Sequence, residues 1–424
     1  MHCCIAAPTL ASVGDELLQD ISLPSILSSL KTVTATTAVP TSPAEASKRI
    51  SQVFNAQPTP TYYFNATKQL VAAGLTSDNV ADAIGFVSGL STGENSFNNV
   101  NPKDPNPAAY PRAGPNDAPY DLTEQQLRAA IYIPSTFKYG ADGAPQPVIL
   151  VPGTGDTGYT TFVGNYIPLL QGSSVGDPVW LNIPGYLLGD AQTNSEYVAY
   201  AINYIYGISN HRNVSVISWS QGCIDSQWAF KYWPSTRDRV ADHIALSPDY
   251  RGSVFGDVID AGEPLPPSIK QQDARANFIT TLRSNGGDSA YVPTTTVYSG
   301  LFDEIVEPQQ GTGASGFLKG ASNNEVQTVC AGQVAGSLYS HEGVLYNPLG
   351  FALAKDALSH DGPGSAARLD LASVCSTYLT PGLDVTDFLL TENTILIAGI
   401  AILEYPNKVV QEPAIKGMCE ISLT

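Results

Sequence analysis

Ser218-Trp219-Ser220-Gln221-Gly222 lies between a run of strand-forming residues, Asn213 to Ser218, and a helix-like stretch that ends at Trp233 before Pro234. A strand, a sharp turn and a helix around S-x-S-x-G form a nucleophile elbow with its first glycine replaced by serine. Such a turn holds Ser220 in a strained backbone conformation and lifts its hydroxyl clear of the sheet. Residues two before and two after it must be small, because their side chains face adjacent backbone. Gly222 meets that need, and Ser218 nearly does. The strand–turn–helix setting separates the motif from a chance match in a serine-rich chain.

Other segments extend the same pattern. Pro147 to Pro152 is a continuous apolar run ending in Gly153-Thr154-Gly155, and His243 to Ser247, Thr294 to Tyr298 and Val326 to Val329 are further candidate strands. Apolar strands alternating with helical stretches predict an α/β architecture, with a mostly parallel central sheet flanked by helices. Ligands of such sheets bind at the carboxyl ends of the strands. Each of the first four strands ends in residues able to do chemistry.

A serine hydroxyl is a weak nucleophile near neutral pH, so it needs a base, and the base needs an orienting carboxylate. On this kind of turn the three follow in the order Ser, acid, His. Of the five histidines, His2 and His211 precede Ser220, and His243 opens the next strand with no strand before it to carry the acid. His341 and His360 remain. His341 sits on a loop between a strand candidate and a helical stretch, which suits a base, whereas His360 reads as an exposed helix C-terminal residue favoured by the dipole. Asp303, first in the loop after the Thr294 strand, is the expected acid. Glu304 and Glu307 follow it, and the bland reading of all three is a solvated loop carboxylate. The oxyanion calls for two donors. The backbone N–H of Gln221 supplies one, and Thr154, in the glycine-rich loop after the Pro147 strand, offers its N–H and its hydroxyl. That loop lacks both G-x-G-x-x-G and a Gly-Lys-Ser/Thr, which argues against a phosphate cradle.

Composition removes other classes. Against 39 acids there are 21 bases, a formal charge of −18, so binding nucleic acid by counterion release is excluded. The longest apolar run, Ile395 to Leu403, is nine residues, short of the ~20 needed to cross a bilayer. No metal-ligand cluster and no cofactor motif is present, so neither a metal nor an organic cofactor is expected. The first residues are a poor secretion signal, with no basic region and with Asp15 and Glu16 early. Scarce lysine, six cysteines and two N-glycosylation acceptors, Asn65 and Asn213, nevertheless predict a secreted protein.

Residues 1–119 differ from 120–424. Thr, Ser, Ala and Pro dominate 33–61, and Asn, Pro, Gly and Asp dominate 95–119, while Lys68 to Ser88 has helix-like apolar spacing. The reading is an irregular, partly helical N-terminal extension, either a wrap-around arm or a pro-segment, ahead of a catalytic domain over 120–424.

Val151-Pro-Gly-Thr-Gly, Ser218-Trp-Ser-Gln-Gly, Ser247-Pro-Asp-Tyr-Arg-Gly, Tyr298-Ser followed by Asp303-Glu-Ile-Val, and His341-Glu-Gly together resemble the Candida antarctica lipase B-like fungal lipases of the α/β-hydrolase superfamily. The likeness runs from about residue 120 to 420. It implies an α/β-hydrolase fold with Ser220 as nucleophile, Asp303 as acid, His341 as base, and Thr154 with Gln221 as oxyanion hole. It also implies Trp219 as the floor of the alcohol-side pocket, Asp249 and Gln272 on the acyl side, and a Cys330–Cys375 disulfide. Cys419 is left free or paired with Cys3 or Cys4, and Cys223 reads as a buried, inert thiol. Asp156 stands where the family has a neutral residue beside the oxyanion loop, and a carboxylate there would disfavour anionic or bulky acyl groups. Residues 384–403 correspond to the long helix at the family's active-site mouth, either buried or offering an apolar rim to a lipid surface.

The function so implied is secreted hydrolysis of carboxylic esters, foremost of triacylglycerols, by a monomer whose partners are its ester substrate and, transiently, a lipid interface. The rivals are a short-chain carboxylesterase or polyesterase with the same machinery, and a non-catalytic binding protein on the same fold.

Overall fold

Alternate residues of each central strand feed opposite cores. In the strand Gln146–Val151, Val148 and Leu150 pack into one apolar cluster and Ile149 and Val151 into another on the far side. Both faces being covered, this strand is apolar from Pro147 to Val151, as a strand inside a parallel sheet tends to be. A computed structural model describes residues 23–54, 63–89, 93–253, 263–300 and 302–417. Its seven strands are β1 (Ile131–Tyr132), β2 (Gln146–Val151), β3 (Gly176–Leu181), β4 (Val214–Trp219), β5 (Val240–Leu246), β6 (Thr294–Tyr298) and β7 (Ser322–Glu325). They lie in the order β1-β3-β2-β4-β5-β6-β7, all parallel except β1 against β3. The register Val151↔Ser218, Trp219↔Leu246, Leu246↔Val297 brings the carboxyl ends of β2, β4, β5 and β6 level.

The principal helices are α1 (Leu23–Lys31), α2 (Pro43–Phe54), α3 (Tyr63–Ala72), α4 (Val80–Gly89), α5 (Ala191–Ile208), α6 (Gln221–Tyr232), α7 (Pro348–Ser359) and α8 (Val385–Glu404). Residues of α5 and α6 pack on one face of the sheet, through Val198, Ile202 and Trp228, and those of α7 and α8 on the other, through Leu353, Leu396 and Ile400. The fold is that of an α/β-hydrolase, a mostly parallel central sheet with helices on both faces.

Several expectations need correction. Val326–Val329 is a helical turn, and the strand β7 is the polar Ser322–Glu325 just before it. Its asparagines bond to neighbouring chain: Asn323 Oδ1 accepts from Leu318 N–H at 2.9 Å, and Asn324 Nδ2 donates to Thr296 O at 3.1 Å. An edge strand that uses its side chains this way carries no apolar signature. The two strands with no sequence expectation, β1 and β3, are equally atypical: β1 has two residues, and β3 holds Pro178 opposite a position where β1 has already ended. The Lys68 to Ser88 periodicity belongs to two helices, α3 and α4. Between them Gly74 takes φ +67°, and a Cβ there would lie 2.4 Å from Thr37 O.

Described parts of the first 119 residues pack against the rest of the molecule. On its near side α8 faces α1, α3 and α4; Tyr63 in α3 donates to Ile395 O, Ser77 N–H to Leu389 O, and Asn393 Nδ2 to Asp78 Oδ2. Farther along, Glu94 O accepts from Trp180 Nε1 and Asn182 Nδ2 at the carboxyl end of β3. Helix α8, with its 20 residues, is long and apolar enough to cross a bilayer, more so than its nine-residue run suggested. Every residue from Thr391 to Leu403 is nonetheless buried within the protein.

Cys330 and Cys375 form a disulfide, and Cys223 is free and buried. Cys3, Cys4 and Cys419 lie outside the described residues. Asn65 and Asn213 are both exposed, but the hydroxyl residues of their acceptor motifs, Thr67 and Ser215, are buried.

Candidate active site

Ser220 has φ 53° and ψ −127°, the left-handed strain of an elbow. Its N–H is tied to Leu246 O at 2.9 Å. The small-residue rule holds on both sides. A Cβ on Gly222 would come within 2.4 Å of Pro152 O. Ser218 is accommodated because its hydroxyl is taken up below the turn, 2.7 Å from His243 Nε2 and 3.2 Å from Cys223 Sγ. Burial pushes the Cys223 thiol well up, so it stays protonated, and pushes His243 down to about 3, so its ring is neutral.

His341 is turned toward Asp303, with Nδ1 at 2.9 and 3.0 Å from the two carboxylate oxygens. Asp303 is itself fixed by the N–H groups of Ile305 and Val306, at 3.1 and 2.8 Å from Oδ1. The His341 main chain is held at both ends: its N–H donates to Glu304 Oε2 at 3.0 Å, and its carbonyl accepts from Ser247 Oγ and Trp219 Nε1 at 2.9 and 3.3 Å. The Trp219 ring lies 5.0 Å from the imidazole. Among the described residues His341 Nε2 has no hydrogen-bond partner, and His341 and Ser220 line one cavity. Burial lowers the imidazole pKa, but Asp303, then Glu304 and Asp249, outweigh it and leave the net shift upward. Glu304, expected as a solvated loop carboxylate at most, is buried; that burial, with Glu342 and Asp303 near, pushes it well up.

Thr154 Oγ1 lies 2.8 Å from Gln221 Oε1 and 3.1 Å from Gln272 Oε1, and Gln272 Nε2 donates to Gln221 Oε1 at 3.0 Å. This amide–hydroxyl triangle orients the Thr154 side chain beside Ser220. The N–H of Gln221 opens α6 and so has no intrahelical acceptor. Trp219, Asp249 and Gln272 all line the cavity. Burial pushes the Asp249 carboxyl up to about 7, and its Oδ1 has no hydrogen-bond partner among the described residues. Asp156, by contrast, is absent from the cavity wall. It is buried behind the loop, accepts from Thr160 Oγ1 at 3.1 Å, and burial pushes its pKa well up. The expected repulsion of anionic or bulky acyl groups therefore has no basis: a sequence position beside the oxyanion loop does not reveal which way the side chain points.

His360 caps α7 and pairs with Asp356, and His211 bonds Asn106 O at 2.7 Å, both far from this cavity. Among the described residues no group of three or more His, Cys, Asp or Glu is placed to hold a metal.

The cavity has a volume of about 70 Å³ and is almost wholly apolar in its walls. Two of its wall residues, Tyr63 and Phe64, come from the extension, and α8 adds Ile395, Ala398 and Ile402. Sequence reading missed the first pair. Their only signal is a Tyr-Tyr-Phe cluster in an otherwise polar segment.

No family model matches the chain. Over 218 residues it is 37% identical to Lipase B of Pseudozyma antarctica; the matched stretch makes up 50% of this chain and 61% of that protein, under two thirds of its length. The crystal structure of Aspergillus fumigatus lipase B superposes with a TM-score of 0.84 at 46% identity, covering 94% of this chain and 100% of that one. That coverage leaves out far fewer residues than the extension contains, so most of the extension has a counterpart there.

Proposed function

The chain belongs to the lipase B family of α/β-hydrolases, and from that premise we propose that it is a serine carboxylic ester hydrolase acting on lipid esters, with triacylglycerols as its main substrate. Ser220 Oγ attacks the ester carbonyl while His341 Nε2 takes its proton, and Asp303 stabilises the imidazolium. The oxyanion rests on the Gln221 N–H and on Thr154, whose hydroxyl turns from Gln221 toward it. His341 then protonates the departing alcohol. Water, deprotonated by the same imidazole, releases the acid from Ser220. Trp219 floors the alcohol side, and Asp249 with Gln272 borders the acyl side.

One observation carries this reading: an imidazole bonded to Asp303 through Nδ1 presents an unpaired Nε2 in the same apolar cavity as a strained Ser220. The test is hydrolysis of a p-nitrophenyl ester series, dissolved and emulsified, by wild type and Ser220→Ala. Activity extending to long chains and lost in Ser220→Ala supports it. Equal activity of the two proteins refutes it.

The short-chain carboxylesterase or polyesterase reading draws on the same cavity, because about 70 Å³ under Tyr63 and Phe64 does not admit a long acyl chain. The two readings meet if the extension, over residues 1–119, acts as an arm or pro-segment that must move aside from the catalytic domain over 120–424. Contact with a lipid surface would follow from the same movement, since the extension now covers α8. Secretion is in keeping with the Cys330–Cys375 disulfide, a bond that persists in oxidising compartments. The exposed Asn65 and Asn213 remain the candidate glycosylation sites.

A further inference from the structure

Glu342, the residue after His341, and Glu392 in α8 are both fully buried. The turn Glu342–Tyr346 packs directly on α8, and this brings the two carboxyl groups to face each other. Among the described residues no donor makes a well-formed hydrogen bond to either oxygen of Glu342 or to Oε2 of Glu392, the Ser340 hydroxyl being the neighbouring side-chain donor to Glu342. Two ionised carboxylates cannot occupy such a place, since each is an acceptor only and their charges repel in an apolar surrounding. A proton between them removes one charge and supplies the missing donor.

We propose that Glu342 and Glu392 share one proton and thereby latch the turn that carries His341 to helix α8, as positioning residues for the base. The inference rests on the assignment of His341 as base and goes beyond it.

The surroundings say which partner keeps the proton. The Tyr346 hydroxyl donates to Glu392 Oε1 at 2.7 Å, which favours the ionised form of Glu392. Burial pushes Glu392 up only to about 7, and pushes Glu342, beside Glu392, well beyond its ordinary range. The resting pair is therefore a neutral Glu342 donating to a carboxylate at Glu392. Facing it are Glu304 from the loop after β6, the hydroxyls of Ser340 and Tyr346 on the histidine turn, Tyr378 from the segment before α8, and Tyr63 from α3. Asp303 and His341 act on the pair through Glu304. Among the described residues facing the pair there is no lysine or arginine, so the second charge created when the proton leaves finds no permanent cation beside it.

The latch joins two parts of the site. One side is the turn whose main chain fixes His341; the other is the helix whose Ile395, Ala398 and Ile402 wall the cavity. Loss of the proton sets two carboxylates, with Glu304 near, against each other where the turn that carries His341 meets α8. The expected result is a fall in kcat at alkaline pH while KM changes less.

The test is the pH profile of kcat for ester hydrolysis by the full chain, with melting temperature recorded at each pH, for wild type, Glu392→Gln, Glu342→Gln and Glu392→Ala. In Glu392→Gln an amide replaces the carboxylate and no second charge forms, so the alkaline fall should move up by about one pH unit or more. Glu342→Gln should do the same, its amide donating permanently. Glu392→Ala leaves Glu342 unpaired, and kcat should drop about tenfold at every pH. An alkaline limb unmoved in both glutamine variants overturns the proposal, whether or not Glu392→Ala folds. So does a Glu392→Ala loss that merely follows melting temperature. His341→Ala separates this from the underlying assignment: if it reacts with a fluorophosphonate as fast as wild type, His341 is not the base and the reading of the site fails first.

Discussion

The Tyr63 hydroxyl donates to the main-chain carbonyl of Ile395, 332 residues further along the chain. The bond ties the extension to the helix that walls the active-site cavity, and the Tyr63 ring itself forms part of that wall. Gly399 makes room for the ring, since a Cβ there would lie 3.1 Å from Tyr63 Cε1.

Removing the ring should open the cavity. Tyr63→Ala is expected to raise kcat/KM for long-chain esters relative to short-chain ones by roughly tenfold or more, while lowering stability by about 3–5 kcal/mol for the lost buried aromatic. Tyr63→Phe keeps the wall and should keep the chain-length profile. A ratio of long- to short-chain activity that does not change in Tyr63→Ala counts against the extension as a gate.

Asp303 raises the His341 pKa, and a base works only when deprotonated. The acid limb of kcat/KM should therefore sit above the ordinary 6.5 of an imidazole, with activity rising as pH increases through it. Asp303→Asn removes both the charge and the correct acceptor, so kcat should fall on the order of 10³–10⁴-fold and the residual limb should move to lower pH. A limb that stays in place in the variant would show that another group sets it.

Much of this site is legible in the sequence because its chemistry depends on local pattern. The elbow needs strand, turn and helix in a few consecutive residues, and the order of serine, acid and histidine leaves few candidates for each role. What escapes depends on contacts distant in sequence. Tyr63 and Phe64 reach the cavity only because α3 docks on α8, and no periodicity near residue 63 announces that. Val326 to Val329 has the composition of a strand, but the ladder to β6 is made by the polar residues just before it. Glu304 likewise reads as a solvated loop carboxylate, and Asp156 as a charge beside the oxyanion loop, until the packing shows both buried. The glutamate pair where the His341 turn meets α8 is invisible for the same reason, its members being 50 residues apart.

Gly222 faces backbone, not a side chain that can yield. Gly222→Ala should therefore destabilise the protein by about 1–3 kcal/mol and reduce kcat through a shift of the elbow, read as a lower melting temperature and a lower turnover together. Ser218→Ala, which only removes the bonds to His243 and Cys223, should retain most of the turnover. The reverse ranking would contradict the packing described for the turn.

Asp242 is buried beside Ser215, and burial pushes its carboxyl up to about 7. Its folded-state pKa lies above the 3.8 of the unfolded chain, so its contribution to stability is complete below pH 3.8 and is lost as pH rises toward 7. Asp242→Asn removes this loss. Its melting temperature should improve relative to wild type between pH 4 and pH 8, and a difference constant across that range would show that Asp242 ionises normally in the fold.

Mass mapping of a fluorophosphonate adduct tests the assignment of Ser220 as nucleophile and His341 as base. A single adduct is expected on the peptide containing Ser220 in wild type, none on Ser220→Ala, and a greatly slowed adduct in His341→Ala. An adduct that maps to another serine, or that forms equally fast on all three proteins, would contradict it.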